Sequence, residues 1–363
     1  MRLRLRVFSS SKESTTGKSW LLYLPWLVPA FLVGCAGNGV AEDSVGNGLG
    51  GQVVTVSAVQ ELEETAAEGE QLDGTTQPEP ILPAIVTDLT GTEVVVNSVE
   101  RIIPLDGTVA EVVFALGLGD QVVATDLSAT YPPQADALPE IGYQRALTAE
   151  SIAMYSPTVL LATEIAGPPG VIEDLRRLGF PVVIVPNSSG PEGPPEKIRA
   201  VAEALGIPAL GDELANRVAQ DISEATIANP ISRPRVASLY LRGASTQLVL
   251  GRNSATHWII EAAGGESVAE VLGLDSSESI SAEGLMVVAP DVILVPSAGL
   301  DSVGGPDGLM AIGGLSQTPA GKHRAVAHFD DQWLLGNGPR VGSIIEQLAT
   351  VIDEARQRKE ESR

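Results

Sequence analysis

GYQRALTAESIAMYSPTVLLAT, residues 142–163, decides the fold because much of it occurs twice. Residues 147–161 (LTAESIAMYSPTVLL) align without a gap on residues 280–294 (ISAEGLMVVAPDVIL). In each copy a hydroxyl residue, Thr148 or Ser281, stands where it can cap a helix. A glutamate, Glu150 or Glu283, falls in the first turn, where the helix dipole favours negative charge. A short amphipathic helix follows, a proline (Pro157, Pro290) ends it, and an apolar run reads as a buried strand. A duplicated helix–strand unit predicts two similar lobes. Tyr143 and Arg145 precede the first copy, and Tyr240 and Arg242 give the second half its own Tyr-x-Arg pair.

Outward from these copies, apolar runs alternate with helical patterns. Residues 85–87 and 93–96 flank Thr90 and Gly91 and read as a β-hairpin. An apolar run at 101–105, a helical pattern at 108–116 with Gly117 as its stop, and a further apolar run at 121–125 follow. After the first copy, 171–178 reads as helix, Gly179 as its cap and 181–185 as strand. Residues 195–205 form a helix, and from Gly211 another begins. Over 212–228 of that helix, Leu214, Val218, Ile222 and Ala225 recur at helical spacing, until Pro230 and Pro234 close it. This helix, spanning roughly 25 Å, is the natural strut between lobes. The second half repeats the plan: a strand at 235–240, a helix at 255–263, then the second copy. A late strand pair is expected at 325–329 and 332–335, a mobile Gly-rich loop at 297–306 and a closing helix at 341–357. The predicted class is α/β: two Rossmann-like lobes with central, mostly parallel sheets, joined by one long rigid helix. Because a helical strut bends less than extended strands, the lobes are expected to move little on binding.

The chain has 363 residues, a formal net charge of -23 and one cysteine. That charge argues against nucleic acid as partner, since phosphate binding needs basic patches. Arg2, Arg4, Arg6, Lys12 and Lys18 lead into an apolar run at 20–34 that ends at Cys35. The run is shorter than the roughly 20 apolar residues a membrane span needs. It resembles a bacterial lipoprotein signal, in which the cysteine receives lipid and becomes the mature N-terminus. The predicted organisation is a signal peptide at 1–34, a flexible acidic tether at 35–83, an N-terminal lobe at 84–208, the connecting helix at 209–230 and a C-terminal lobe at 231–358. The tether reaches on the order of 40 Å as a coil. The protein is expected at the cell membrane, lipid-anchored on the extracytoplasmic face.

Val236, Ser238, Tyr240 and Arg242 share one strand face by the two-residue period, and Tyr240 and Arg242 stand at the carboxyl end. In parallel α/β sheets ligands bind beyond that end. A cation beside a phenol favours the phenolate, a hard oxygen donor suited to ferric iron. A lone Tyr-x-Arg reads equally well as a partly buried tyrosine with an arginine neighbour. Two such pairs at matched places in duplicated lobes point instead to a ligand held between them. His257 and Trp258 start a helix in the second lobe: His257 is a candidate to reach the cleft, ranking third as an iron ligand behind its reading as an ordinary partly buried histidine, and Trp258 is a candidate to stack on a flat ligand, with core packing the better reading. Tyr131 is a further aromatic, better read as packing, and His323 and His328 read as structural or exposed. There is no Gly-x-Ser-x-Gly, His-Glu-x-x-His or Walker pattern, and no nucleophile–base or metal-ligand cluster of an enzyme can be read.

Residues 84–358 resemble the substrate-binding proteins of bacterial ABC importers for iron complexes, corrinoids and haem. Gly142, Tyr143, Arg145 and Leu147, followed by Ala149 and Glu150, together with Tyr240, Arg242 and Gly243, are similar to the haem-binding branch, the haemin importer lipoproteins. The resemblance implies haem as the transported ligand, Tyr143 and Tyr240 as iron ligands, and Arg145 and Arg242 hydrogen-bonding the phenolate oxygens. Some relatives have His at the place of Tyr143, which leaves open whether one Tyr or both bind. The resemblance also implies that Glu150 and Glu283 dock onto arginine pockets of an ABC permease. The same architecture with a ferric siderophore or corrinoid is the alternative, and a surface-tethered enzyme the third reading.

Overall fold

The computed structural model describes residues 78–279 and 281–361. The expected signal peptide, Cys35 and most of the tether lie outside the described residues.

The hairpin forms as read: β1 (Ala84–Thr87) pairs antiparallel with β2 (Glu93–Val96). The first lobe is then built on β3 (Ile102–Pro104), α1 (Gly107–Ala115), α2 (Ala149–Ala153), β4 (Val159–Thr163), α3 (Pro169–Arg177), β5 (Val182–Val185) and α4 (Gly193–Ala204). Its sheet is parallel in the order β3-β4-β5. The connecting helix α5 runs Pro208–Ala225. It starts before Gly211 because Pro208 suits the first turn, and it ends at Thr226, whose backbone is extended. Gly211 is required by packing, not by conformation: a Cβ there would stand 2.3 Å from that of Ala202 on α4.

The second lobe comprises β6 (Arg235–Arg242), β7 (Thr246–Val249), α6 (Ala255–Ala262), β8 (Glu266–Ser267), α7 (Ala282–Val288), β9 (Val292–Pro296), α8 (Ser297–Ser302), β10 (Val326–Phe329), α9 (Asp331–Gly336) and α10 (Val341–Glu361). Strands β10, β9, β6 and β8 are parallel, and β7 turns back antiparallel on the end of β6. Two expectations fail here. The second member of the late strand pair is helix α9, because Asp330 accepts the Trp333 N–H at 3.1 Å and caps it. The loop expected to be mobile is helical, α8 and a short helix Gly305–Met310. The run at 121–125 adds only isolated bridges, at Val122 and Thr125.

The duplication reaches the backbone. Thr148 and Ser281 each accept the N–H three residues on, from Ser151 and Gly284. Ser156 (φ 47°) and Ala289 (φ 46°), at equivalent positions before the two prolines, both take the left-handed conformation; Ala289 caps α7 directly, whereas α2 is capped two residues before Ser156, at Met154. Successive residues of β4 and β9 alternate between two cores. Val159, Leu161, Val292 and Leu294 enter one continuous apolar cluster that includes Leu214, Val218 and Ile222 of α5 and Ile345 and Leu348 of α10. Leu160 and Ala162 face a second cluster, and Ile293 and Val295 a third. Each sheet is therefore covered on both faces, as parallel sheets require, and the two lobes share one core through the strut.

A buried polar network closes the junction between lobes. Arg340 grips Glu111 of α1 with two bonds, 2.9 and 3.2 Å. The Gln332 amide donates to Glu111 (3.0 Å) and to the carbonyls of Gly107 (2.9 Å) and Tyr131 (3.1 Å), while its oxygen accepts the N–H groups of Thr130 (2.7 Å) and Tyr131 (2.9 Å). Lys197 on α4, fully buried, donates to Thr108 Oγ1 and the Gly336 carbonyl, both at 2.9 Å. Removing one partner leaves a buried charge unpaired. Arg340→Ala should therefore cost about 3–5 kcal/mol in urea unfolding, and replacing Arg340 and Glu111 together by leucine should recover most of it.

Candidate functional site

Six parallel strands point their carboxyl ends at one space. In the first lobe the residues just beyond β3, β4 and β5 include Asp106, Ile165 and Asn187; in the second, β6 ends in Tyr240 and Arg242, β9 leads to Ala298 and β10 to Asp330. All of these line a single cavity of about 680 Å³ between the lobes. That volume lies within the range of sites for drug-sized ligands.

Tyr143 and Arg145 stand on the cavity's first-lobe rim. The turn that carries them is pinned on both sides: Leu127 N–H donates to the Gly142 carbonyl (2.9 Å), Ala146 N–H to that of Tyr143 (2.7 Å) and Gly167 N–H to that of Gln144 (2.8 Å). Gly142 has φ 106°, a conformation that admits little but glycine. Tyr143 is 43% exposed and thus open to a ligand. Arg145 is exposed and has no ion-pair partner among the described residues.

Tyr240 lines the opposite side, where Tyr240 pairs with Leu248 of β7. Its arginine is placed otherwise than expected. The Arg242 guanidinium lies over the Tyr240 ring, 4.4 Å from the centroid, with no hydrogen bond to the phenol oxygen. An i, i+2 pair projects its side chains in parallel, so the guanidinium meets the ring face, a cation–π contact. Asp331 holds it there at 2.6 Å and also accepts the Ala298 N–H at 3.1 Å. Asp331 thus ties the end of β6 to the helices that follow β9 and β10. Sequence reading missed Asp331 and Gln332; the only hint was an acidic pair just after an apolar run, where a parallel strand ends.

The duplicated glutamates are exposed in the first turns of α2 and α7. His257 and Trp258 do not line the cavity. His257 Nδ1 and Trp258 Nε1 are buried without a hydrogen-bond partner, and Trp258 packs against the shared core. Tyr131 is also outside the lining, with Arg340 stacked 3.5 Å over its ring. His328 Nδ1 meets Ser297 Oγ at 3.0 Å. Among the described residues no group of three or more His, Cys, Asp or Glu side chains is placed to hold a bare metal ion.

The family model of periplasmic binding proteins matches residues 102–333. The chain belongs to the periplasmic binding protein family. It is similar in structure to the periplasmic heme-binding protein RhuT of Roseiflexus sp. RS-1, at 44% identity and a TM-score of 0.68, covering 70% of this chain and 98% of RhuT. The heme-binding protein HmuT is 32% identical with a TM-score of 0.72, covering 78% of this chain and 94% of HmuT. By sequence, the vitamin B12-binding protein of Vibrio cholerae serotype O1 is 24% identical over 256 residues, 70% of this chain and 89% of that protein.

Asp126 sits beneath the first-lobe lip and accepts from the N–H (3.0 Å) and Oγ (2.9 Å) of Ser128, a lining residue. Burial, aided by the charge of Asp106, pushes the Asp126 carboxyl up to about 6, against the Ser128 hydrogen bonds, from an ordinary 3.8. The folded protein therefore keeps a proton that the unfolded chain has released. The resulting stability is complete below the unfolded value and is lost as pH rises through about 6. Asp126→Asn should remove that dependence, so that the stability difference between the two proteins changes by roughly 2 kcal/mol between pH 4 and pH 7.

Proposed function

We propose that this periplasmic binding protein captures haem between its lobes and delivers it to an ABC permease of the membrane. The observation that carries this reading is that Tyr143 and Tyr240, one from each lobe, line the same cavity. Two phenols facing one gap offer oxygen ligands to a ferric centre from both sides of a flat macrocycle. The heme-binding neighbours at 44% and 32% identity support haem as cargo. The vitamin B12-binding relatives favour a corrinoid as the second reading, at the lower identity of 24%. In this scheme Arg145, free of an ion pair, meets the acidic edge of the ligand. Arg242 steadies the Tyr240 ring and, once haem is bound, shifts to the phenolate oxygen. The protein acts as a carrier and not as an enzyme, anchored through lipid on Cys35 by a tether ahead of a first lobe at 84–208 and a second at 231–358. The buried junction and the helical strut support small lobe motion on loading.

Haem titration tests the site. Tyr143→Phe and Tyr240→Phe should each change the haem absorption spectrum, and the double variant should lose the phenolate-to-iron charge-transfer band; an unchanged double-variant spectrum refutes the assignment. Arg242→Ala should weaken haem by about 10–100-fold, as loss of a partner to a metal ligand does.

For the docking role, Glu150→Arg combined with Glu283→Arg should leave the haem spectrum intact and stop haem uptake by cells. Normal uptake would sink that role.

A further inference from the structure

The duplicated helices share more than a glutamate. The gapless alignment that pairs Glu150 with Glu283 also pairs Met154 with Val287. Each apolar residue follows its glutamate by four positions, which puts both on one helix face. Met154 is 72% exposed and Val287 is 80% exposed, among the most exposed large apolar side chains described. Their inward neighbours behave in the opposite way: Ile152 and Leu285, also equivalent, are buried in the cores of their lobes. Neither glutamate has an ion-pair partner among the described residues. A single exposed apolar residue needs no explanation. The same residue class at the same aligned position, beside the same free carboxylate, in both lobes, does.

We propose that Glu150 with Met154 and Glu283 with Val287 form two equivalent docking patches, each an anionic group flanked by an apolar knob. The partner is a twofold-symmetric membrane permease that presents, twice, a basic group beside an apolar recess. This rests on the docking reading above and adds its chemistry. Duplicated patches, one per lobe, match a partner built of two like halves. The carboxylates supply charge complementarity and steering, while the knobs supply desolvated area at the centre of each contact, where interfaces concentrate binding energy. Met154 is the residue that caps the end of α2, and Val287 lies in the last turn of α7.

The test uses the full chain in its native host, deleted for the chromosomal copy and grown with haem as sole iron source. Met154→Ser and Val287→Ser are made singly and together. The expected result is an unchanged haem spectrum and melting temperature, with haem uptake about tenfold or more lower in the double variant, as expected for losing buried apolar side chains. The two single variants should lose similar amounts, and Met154→Leu with Val287→Ile should restore uptake. Normal uptake in the double serine variant, while Glu150→Arg with Glu283→Arg abolishes it, overturns the apolar contribution alone. Normal uptake in both overturns the docking reading with it. Strongly unequal single variants overturn the equivalence of the patches. A wild-type dimer that sedimentation shows dissolving in the serine variant would assign the knobs to a second copy and overturn the permease assignment.

Discussion

Everything in the cleft depends on how the two lobes are held apart, and a buried polar junction does the holding. Glu111, Arg340, Gln332 and Lys197 meet where water is excluded, each at most 7% exposed. Charges in such a place are tolerated only when their partners are correctly placed. Burial pushes the Lys197 ammonium down from its ordinary value, with the carboxylates of Asp106, Glu111 and Glu164 opposing that shift. The geometry of the junction is therefore specified sharply: a displaced lobe would leave several buried groups unpaired at once. The apolar cluster that runs through α5 and α10 contributes cohesion, and the polar network fixes the register of the two halves.

Given that junction, the rest of the site follows from the direction of the strands. Parallel strands gather their carboxyl ends, and two parallel sheets facing each other gather six of them around one gap. Loops at those ends are free to carry functional side chains because the strands themselves are covered on both faces. The placement of Arg242 shows how such a site is tuned. Asp331 holds the guanidinium on the ring face of Tyr240, and among the described residues the phenol oxygen takes no hydrogen bond from Arg242.

Much of the fold was legible because it is written in local periodicity. The hairpin around Gly91, the two caps at Thr148 and Ser281, the prolines that end both copies and the apolar runs of β4 and β9 all rest on interactions within a few residues. What failed was equally local in appearance. Residues 332–335 look like a strand after a strand, yet Asp330 caps a helix and Trp333 packs edge-on against Phe329 at 5.6 Å. The short run 246–249 was not recognised because its pairing with β6 buries only Val249, leaving little alternation to read. At the site, Tyr143, Arg145, Tyr240 and Arg242 all line the cavity, yet Tyr143 lies in the turn ahead of α2 and Tyr240 at the end of β6, so the two pairs do not stand at equivalent points. His257 does not line the cavity, because a position at a helix start does not say which way the helix faces, and Trp258 packs against the core, as its residue type favours.

The sequence by itself determined the two-lobe plan, the helical strut and the caps and glutamates set at equivalent points of the two copies, since repetition and spacing are properties of the chain. Only the tertiary structure decided that both tyrosines line one cavity, that Arg242 is engaged by Asp331 and that Glu111 meets Arg340. Those relations join residues far apart in sequence, between 89 and 229 positions in the two ion pairs, and no periodic signal spans such distances. They are set by how two sheets and a shared core pack, which is where long-range contacts, and the chemistry they permit, first come into existence.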